Sequence, residues 1–520
     1  MFQKRPNLAL GFILVYFLVL TVGMRNSNGS EASSVLKTPH EKSNFKSYTS
    51  HLELEQYLKK LSSFNSQMKL VAYGKTYQGR NLPLVVFSKE GITDPKIARK
   101  TGKPIILIGA NIHGDERTLR ESVLVLMREL VRKDSHMNRL LDDIIIIITP
   151  SMNPDGFEAS KEGSRKNALG VDMNRDYMKL EQVSLFQFVK NILHTWKPHL
   201  WVDGHNGGRF PYHLSYLCST NAGVSKALSG FCNKKLLPFI TEKLKQKEYK
   251  SFYYQRGNKS FWSIGGHKTR IGRNYGGLIN IISVLFESPN WQNKELGFKS
   301  GLVGLRAVLE FSSLNKDQIL SVTKSTKKKV VKLGKNGEGN IVVKMKYGFS
   351  NKRVSYLIGG KKVGSKREII KVKNAKIKNK IIPVKTRPRP FGYLLKPGFE
   401  KSINLLKRHS IKISKLKRDH YLNVDSYIIK EIEYKKVYDH KKAVSVTIEG
   451  VSKDKVMFPK GSYYIKTGQE LGALVTQLLE PETSDNIVKW NTMDFALPSK
   501  VDGYKKFVLP IYKLTGQGLE

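Results

Sequence analysis

Cysteine is nearly absent from this chain of 520 residues, which contains only Cys218 and Cys232. Two cysteines exclude a disulfide-rich scaffold and any zinc site built from four thiolates. A single bridge and two unpaired buried thiols are both compatible with the sequence, because spacing alone cannot establish bridging geometry. The chemistry of the chain must therefore depend on other side chains.

Long apolar runs are absent as well, apart from one near the amino terminus. Residues 8–24 carry no charge, follow Lys4 and Arg5 and precede a polar stretch, which is the layout of an export signal. With 17 residues, this run is longer than a typical signal core and slightly short for a membrane span. Residues 1–30 are therefore predicted to be a signal peptide or an amino-terminal membrane anchor, and the body is predicted to be secreted, periplasmic or at the cell surface.

Acidic residues are scarce, since 43 Asp and Glu stand against 90 Lys and Arg and give a formal charge of +47. More than half of this charge lies in the 97 residues that begin at Lys324 and end at His420, which hold 30 basic and 4 acidic residues. Such a stretch attracts polyanions through long-range fields. For an exported protein the expected partner is an anionic cell-surface polymer rather than nucleic acid, and a solvated lysine-rich face without a partner is the alternative.

Hydrophobic patterning predicts two regions. Residues 44–314 alternate short apolar runs with amphipathic stretches, which is typical of an α/β domain with a parallel, doubly wound core. A covering helix is predicted at residues 117–132. The predicted strands are residues 104–110, 144–149, 200–203 and 283–287. Residues 315–520, with lysine-rich segments that alternate Val, Ile and Tyr, are predicted to form a β-rich accessory region.

Polar clusters follow each of these predicted strands. His113 and Glu116 come directly after the first strand, and imidazole nitrogen with carboxylate oxygen suits zinc. Alone, this pair is a weak signal. The sequence NPDG after the second strand, His205 after the third and Glu287 at the end of the fourth occupy the same structural position. Because open α/β sheets build their sites at the carboxyl ends of strands, a metal site is predicted there.

The residue types of this cluster favour hydrolysis. Two histidines and one carboxylate, provided by His113, His205 and Glu116, leave one zinc position open, as a catalytic site requires. The carboxylate of Glu287 can then accept a proton from the attacking water and pass it to a leaving amine.

A basic segment accompanies these residues. Residues 165–176 contain Arg165 and Arg175, together with an amide side chain between them. Arginine binds carboxylates through a bidentate fork, and a second arginine can stabilise the oxyanion of a tetrahedral intermediate. This segment indicates a substrate that ends in a carboxylate.

Five motifs occur together in one order: HGDE, NPDG, R-x-N-A-x-G-V-D-x-N-R, HNGG and the glutamate at the strand end. Over roughly residues 48–313 this set resembles the zinc metallocarboxypeptidases related to carboxypeptidase A. The resemblance implies the α/β fold of that family with its doubly wound mixed sheet, one zinc ion, and hydrolysis of the carboxyl-terminal peptide bond of peptides with a free carboxylate. Residues 478–491 are similar to the carboxyl-terminal part of some bacterial members, which indicates an exported peptidase of bacterial type.

The same resemblance implies a role for each matching position. The zinc ligands would be His113, Glu116 and His205, with Asp172 orienting His113, Arg165 polarising the scissile carbonyl, Asn174 and Arg175 binding the terminal carboxylate, and Glu287 acting as general base. Tyr275 is a candidate for the tyrosine that closes over the substrate, although the tyrosine of the family lies farther upstream of the catalytic glutamate.

Two other functions are compatible with the motifs. A related zinc amidohydrolase or murein-peptide hydrolase would not need Arg175. A non-catalytic surface protein that binds polyanions would not need an intact ligand set together with Glu287. Because all of these residues are present, carboxypeptidase activity is the leading hypothesis.

Overall fold

The computed structural model of the protein describes residues 36–133, 135–289, 294–364, 366–498, 507–516 and 519. The predicted signal peptide or anchor, residues 1–30, lies outside these described residues. Within them, no helix combines the length and the apolar character that a membrane crossing needs.

The first part of the chain alternates helices and strands. Its helices are α1 Pro39–Lys42, α2 His51–Phe64, α3 Pro95–Lys100, α4 Thr118–Val131, α5 His136–Arg139, α6 Pro154–Phe157, α7 Val183–Gln187, α8 Lys226–Phe231, α9 Leu237–Gln246, α10 Gly272–Leu278 and α11 Lys294–Leu314. Its strands are β1 Met68–Lys75, β2 Asn81–Phe87, β3 Ile105–Ala110, β4 Ile145–Thr149, β5 Leu200–Gly208, β6 Leu214–Cys218, β7 Ser251–Tyr253, β8 Gln255–Gly257, β9 Phe261–Ile264 and β10 Ile282–Pro289.

Eight of these strands form one sheet in the order β1-β2-β4-β3-β5-β10-β6-β7. The central strands β4, β3, β5 and β10 run parallel to one another. Strands β2 and β6 pair antiparallel with the two ends of this group. The prediction of a mixed sheet is confirmed, and the four strands predicted from apolar runs are its central parallel strands.

Both faces of the sheet are covered. Along β3, Ile105 and Leu107 point into one hydrophobic core, whereas Ile106 and Ile108 point into another. The second core includes buried residues of α2, α4, α9 and α11, and α4 is the helix predicted at residues 117–132. The first core combines α7, α10 and the carboxyl-terminal region. Strands with two buried faces explain the continuous apolar runs in the sequence.

Cys218 and Cys232 form a disulfide bond, with their Cα atoms 6.1 Å apart. The bond joins the end of β6 to the helical turn Cys232–Leu236, which continues α8. Both side chains are buried in the core. The alternative of two unpaired thiols, which the sequence left open, is therefore not what the structure contains.

The carboxyl-terminal region is β-rich, as predicted, but it begins with a long helix. Its helices are α12 Lys316–Lys335, α13 Glu400–Arg408 and α14 Gly472–Leu479. Its strands are β11 Asn340–Val363, β12 Lys366–Pro388, β13 Gly392–Leu395, β14 Ser414–Lys415, β15 His420–Val437, β16 His440–Phe458, β17 Tyr463–Lys466, β18 Phe507–Val508 and β19 Tyr512–Leu514. Helix α12 is lysine-rich and buries Ile319, Thr323 and Thr326 on one face.

Two long hairpins dominate this region. Strands β11 and β12 extend the short strands β9 and β8 into a four-stranded sheet, which connects the two parts of the chain. Strands β15 and β16 belong to a seven-stranded sheet with β13, β14, β17, β18 and β19. The β15–β16 hairpin closes after the pair Val437 and His440, so its turn consists of Tyr438 and Asp439.

Candidate metal centre

The carboxyl ends of β3 and β5 bring the three predicted zinc ligands together. Nδ1 of His113 lies 3.1 Å from Nδ1 of His205. The carboxylate of Glu116 contacts both rings, with Oε1 2.8 Å from Nδ1 of His113 and Oε2 2.7 Å from Nδ1 of His205. The three residues are buried, and one ligand atom from each lies within 4.8 Å of the others.

The donor set fits a metal ion. The outer nitrogen of each ring faces a carboxylate, since Nε2 of His113 lies 3.0 Å from Oδ1 of Asp172 and Nε2 of His205 lies 3.1 Å from Oδ1 of Asp203. Outer carboxylates of this kind hold the proton on Nε2 and leave Nδ1 with a free lone pair. Both lone pairs then point toward the carboxylate of Glu116, and two imidazoles with one carboxylate are a zinc ligand set.

The loop that carries two of the ligands is built by an asparagine and a close backbone contact. Asn111 adopts a positive φ of 60°, and its Nδ2 donates to the carbonyl oxygens of His113 at 2.8 Å and Glu116 at 3.1 Å. A Cβ at Gly114 would lie 2.1 Å from the carbonyl carbon of Gly156. The glycines of the HGDE and NPDG motifs therefore let the two loops touch.

The NPDG motif supports the site and does not supply a ligand. Nδ2 of Asn153 donates to the carbonyl oxygen of Ile112 at 3.2 Å. Asp155 accepts hydrogen bonds from Oγ1 of Thr76 at 2.8 Å and from Nη1 of Arg80 at 2.7 Å. Both side chains thus fix loops around the ligands.

Glu287 lies on β10 in register with His205 on β5, and its side chain is buried. Burial raises the pKa of Glu287 to about 7, with the His205 ring opposing this shift and the Glu116 carboxylate adding to it. A Cβ at Gly207 would lie 2.5 Å from Oε2 of Glu287. The HNGG motif therefore provides a ligand and also the space that Glu287 occupies.

Arg165 forms hydrogen bonds to one proposed ligand and to the carboxylate that contacts the ring of another. Its Nη1 donates to Oε1 of Glu116 at 3.0 Å and its Nε donates to Oδ2 of Asp172 at 3.1 Å. Burial of Asp172 opposes ionisation, but the His113 hydrogen bond and the charges of Arg175 and Arg165 hold its pKa below the usual range. The Arg165 side chain is 42% exposed, so part of it remains accessible to solvent beside the buried ligands.

Asn174 and Arg175 lie beside the second histidine. Nδ2 of Asn174 is 3.2 Å from Nε2 of His205, and its Oδ1 accepts a hydrogen bond from the backbone N–H of Gly272 at 2.8 Å. Nη1 of Arg175 donates to the carbonyl oxygen of Asn174 at 2.9 Å. Asn174 is buried, whereas the Arg175 side chain remains 24% exposed.

Tyr275 is not brought to this site. Its side chain is fully buried, and its hydroxyl contacts Nε2 of His194 at 3.1 Å and Nδ1 of His409 at 3.0 Å. Its ring packs against Tyr177 in the core. The position of Tyr275 therefore offers no support for a contact with substrate.

Asp203 is a site residue that the sequence motifs did not predict. It precedes His205 by two residues on β5, and residues two apart on a strand lie on the same face. The spacing Asp-x-His at the end of an apolar strand was the signal that could have identified it.

The fold and the site define a metal-dependent hydrolase with a mixed α/β sheet. Residues 54–206 match the family model of the zinc carboxypeptidases, and this stretch contains His113, Glu116 and His205. This match, together with the buried ligand set, supports a peptide hydrolase whose catalytic segment is similar to the zinc carboxypeptidases.

Known relatives agree with this assignment. Carboxypeptidase 2 of Trichophyton rubrum is 24% identical over 469 residues, which cover 84% of this chain and 82% of the fungal protein. Carboxypeptidase M of Mus musculus is 37% identical over 134 residues, which cover 24% of this chain and 29% of that protein. The fungal match extends beyond the catalytic residues into the carboxyl-terminal region, while the bacterial type indicated by residues 478–491 stays a prediction.

Two solved structures are also similar to this chain. The metallo-carboxypeptidase of Pseudomonas aeruginosa has a TM-score of 0.41 at 21% identity, covering 51% of this chain and 69% of that chain. The metallo-carboxypeptidase of Burkholderia cenocepacia has a TM-score of 0.40 at 21% identity, covering 50% of this chain and 69% of that chain.

Proposed function

We propose that this protein is an exported carboxypeptidase that removes the carboxyl-terminal residue of peptides at a site with one zinc ion. The observation that supports the proposal most strongly is the convergence of His113, Glu116 and His205 next to the buried carboxylate of Glu287. Residues 44–314 would form the catalytic domain and residues 315–520 the accessory region.

The ligands would be held in place by the carboxylates behind them. Nδ1 of His113, Nδ1 of His205 and the carboxylate of Glu116 would bind the ion, while Asp172 and Asp203 accept hydrogen bonds from the outer ring nitrogens. When bound, zinc would polarise the scissile carbonyl and make water a stronger nucleophile.

Glu287 would be the general base. It would take a proton from the attacking water and deliver it to the nitrogen of the leaving amino acid. Its burial raises its pKa to about 7, and a carboxylate with a raised pKa is a stronger base. Its place on the strand next to His205 keeps it close to the ligands without making it one of them.

Two arginines would bind the substrate. Arg165 touches Glu116 and is partly exposed, so its remaining donors could polarise the scissile carbonyl and stabilise the oxyanion that forms there. Arg175 is also partly exposed and, with Asn174, would bind the terminal carboxylate in the bidentate manner of arginine. Peptides with a free carboxyl terminus are therefore the proposed substrates.

Release of free amino acids from a mixed peptide library tests this function. Wild type and a chelated sample restored with Zn²⁺ should release amino acids, whereas Glu287→Gln and the chelated sample should not. Glu449→Gln, a change at an exposed glutamate of β16, is the matched control and should behave like wild type. Equal cleavage of a library with amidated carboxyl termini would contradict a carboxypeptidase and favour an amidohydrolase.

We also propose that the protein acts outside the cytoplasm. The charged and apolar pattern of residues 1–30 supports export, and so does the disulfide bond between Cys218 and Cys232, because disulfides persist in oxidising compartments. Sequencing the amino terminus of the protein recovered from its native host tests this. A start at Met1 with all protein in the cytoplasm would contradict export, whereas a start at Met1 in the membrane fraction would indicate an anchor.

The basic stretch from Lys324 to His420 is proposed to bind an anionic cell-surface polymer. Much of its charge lies on the β11–β12 hairpin, where the lysines at positions 371, 373, 376 and 380 are exposed. Retention on immobilised polyglutamate should fall as salt rises, because exposed charges are screened. Replacing these four lysines by Gln should weaken retention, and no retention of wild type at low salt would remove the proposal.

A further inference from the structure

The turn of the β15–β16 hairpin reaches from the accessory region to the catalytic segment. Oδ2 of Asp439 accepts a hydrogen bond from the backbone N–H of Asp172 at 2.9 Å, and its Oδ1 lies 2.6 Å from Nζ of Lys166. The guanidinium carbon of Arg175 lies 4.8 Å from the centre of the Tyr438 ring. Two adjacent residues of the accessory region thus contact both the partner of a metal ligand and the arginine proposed to bind the substrate.

Tyr438 also contacts a second arginine, and other residues of the accessory region contact the same arginine. The guanidinium carbon of Arg270 is 5.2 Å from the Tyr438 ring and 5.7 Å from the Trp490 ring. Arg270 is almost fully buried, and its Nη1 lies 3.4 Å from Oδ1 of Asp485. Since Asp485 and Trp490 also belong to the accessory region, this region supplies both the ring and the support around it.

The contact with Tyr438 leaves the donors of Arg175 available. An aromatic ring stacks on the face of a guanidinium, whereas the N–H groups point outward in its plane. In the described part of the chain, the guanidinium donates one hydrogen bond, to the carbonyl oxygen of Asn174, and Oδ2 of Asp172 is 3.9 Å away. A ring stacked over the guanidinium carbon at this distance would restrict Arg175 and leave available the edge that a substrate carboxylate would use.

The turn is closely seated on this surface. A cavity of about 10 Å³ lies at this contact, and Arg175, Arg270, Tyr438 and Asp439 are among the residues that line it. A space of that size is at the lower limit for a single water molecule. Little space therefore remains between the turn and these arginine side chains.

The backbone of Tyr438 is in a conformation that favours glycine. Its φ is 51°, in the left-handed region, where a bulky side chain is uncommon. Glycine or asparagine would form a two-residue hairpin turn at lower cost. The ring of Tyr438 is therefore not needed to make the turn, and its contact with two guanidinium groups gives it a separate role.

We propose that Tyr438 is a positioning residue for Arg175, and that Asp439 anchors the turn to the segment that carries Asp172. By this inference, which rests on the proposed carboxypeptidase function, the accessory region completes the substrate site of the catalytic domain. Binding of the terminal carboxylate of a peptide should then depend on the hairpin.

The test compares Tyr438→Gly, Tyr438→Phe and wild type in the full-length, zinc-loaded protein. The glycine variant removes the ring and eases the backbone, so its melting temperature should not fall. Its KM for peptides with a free carboxylate should rise about 3- to 30-fold, the range expected for one cation–π contact, with little change in kcat. Tyr438→Phe keeps the ring and should keep the wild-type KM.

Two further variants complete the design. Asp439→Ala should also raise KM, because the backbone N–H of Asp172 loses its acceptor. Tyr421→Ala changes an exposed tyrosine near the opposite end of the same hairpin and should leave KM unchanged.

The outcomes separate this proposal from the function on which it rests. Active wild type with an unchanged KM in Tyr438→Gly would overturn the positioning role alone. A lower KM or a higher kcat in that variant would also overturn it, since the turn would then obstruct the site. Wild type that releases no amino acids would overturn the carboxypeptidase function, and the positioning role with it.

Discussion

Glu287 on β10 is paired in register with His205 on the parallel strand β5. Neighbouring strands lie about 4.8 Å apart, so this pairing keeps the proposed general base one strand away from a metal ligand. Gly207 and Gly208, which follow Asn206 on β5, border the space between the two strands. A Cβ at Gly207 would lie 2.5 Å from Oε2 of Glu287, and one at Gly208 would lie 2.7 Å from its backbone oxygen.

Replacing Gly207 by Ala should reduce activity while leaving the fold intact. The new methyl group would displace the mobile end of the Glu287 side chain, and misplacing a catalytic group by about 1 Å costs up to about 100-fold in rate. The kcat of Gly207→Ala should therefore fall about 10- to 100-fold, with zinc content and melting temperature close to those of wild type. Steady-state kinetics and thermal unfolding measure both quantities.

Two other glycines serve as controls for this change. Gly208→Ala should lower the melting temperature, because its methyl group would meet the backbone of Glu287. Gly230→Ala, within α8, should leave kcat unchanged and should not lower the melting temperature, since no atom lies within 4 Å of a Cβ at that position and alanine favours a helix more than glycine does. A wild-type kcat in Gly207→Ala would contradict the proposed position of the general base.

Zinc affinity should depend on the two carboxylates that contact the outer ring nitrogens of the histidines. Asp172→Asn and Asp203→Asn should each weaken zinc binding about 10- to 100-fold, because outer carboxylates set the tautomer and basicity of the ligating imidazole. Competition with a fluorescent chelator measures this affinity. Asp142→Asn, at an exposed aspartate that pairs with Lys89, is the control and should bind zinc like wild type. Unchanged affinity in both aspartate variants would contradict the ligand geometry.

Much of the site could be predicted because it depends on local sequence. Each of the parallel strands β3, β4, β5 and β10 is buried on both faces, so each leaves an apolar run in the sequence. Parallel strands end at one edge of a sheet, which places His113, His205 and Glu287 together without knowledge of the packing. Asp203 was predictable on the same basis, from its spacing to His205.

The remainder of the site depends on contacts between distant parts of the chain. Asp172 and Asp439 are 267 residues apart in sequence, and no local pattern indicates their hydrogen bond. The surroundings of Tyr275 are set in the same way, since its hydroxyl contacts His409, which lies 134 residues away. Lysine-rich segments likewise concealed α12, because its few buried positions, such as Ile319, face the rest of the molecule.

Arg175→Ala should reduce the preference for free carboxyl termini. A hydrogen bond between charged groups contributes about 1.5 to 3 kcal/mol, so kcat/KM for peptides with a free carboxylate should fall about 10- to 150-fold. The matching amidated peptides lack the charge that Arg175 would bind. Their cleavage is expected to be much slower in wild type, and it should change little in the variant. Parallel assays on the two peptide sets measure the ratio.

Arg175→Lys is the informative companion variant. Lysine keeps the charge but has neither the planar fork nor the face that stacks on Tyr438, so it should restore only part of the preference. Full restoration by lysine would show that charge alone is sufficient. An undiminished preference in Arg175→Ala would contradict its role in carboxylate binding.

Removing the disulfide bond should lower stability while leaving the chemistry intact. The bond closes a loop with a sequence separation of 14, and a loop of about that length contributes about 3 kcal/mol to the free energy of unfolding. Cys218 pairs with Val284 on β10, three residues before Glu287, so the bond supports this strand without touching the site. The double variant Cys218→Ala with Cys232→Ala should therefore unfold at lower denaturant concentration, yet keep wild-type kcat/KM and zinc affinity at low temperature.

Each single variant, which leaves one unpaired thiol, should lose the same stability, since the cross-link is absent in both. An unchanged unfolding midpoint in the double variant would contradict a stabilising role for the bond and would weaken the argument that the protein matures in an oxidising compartment.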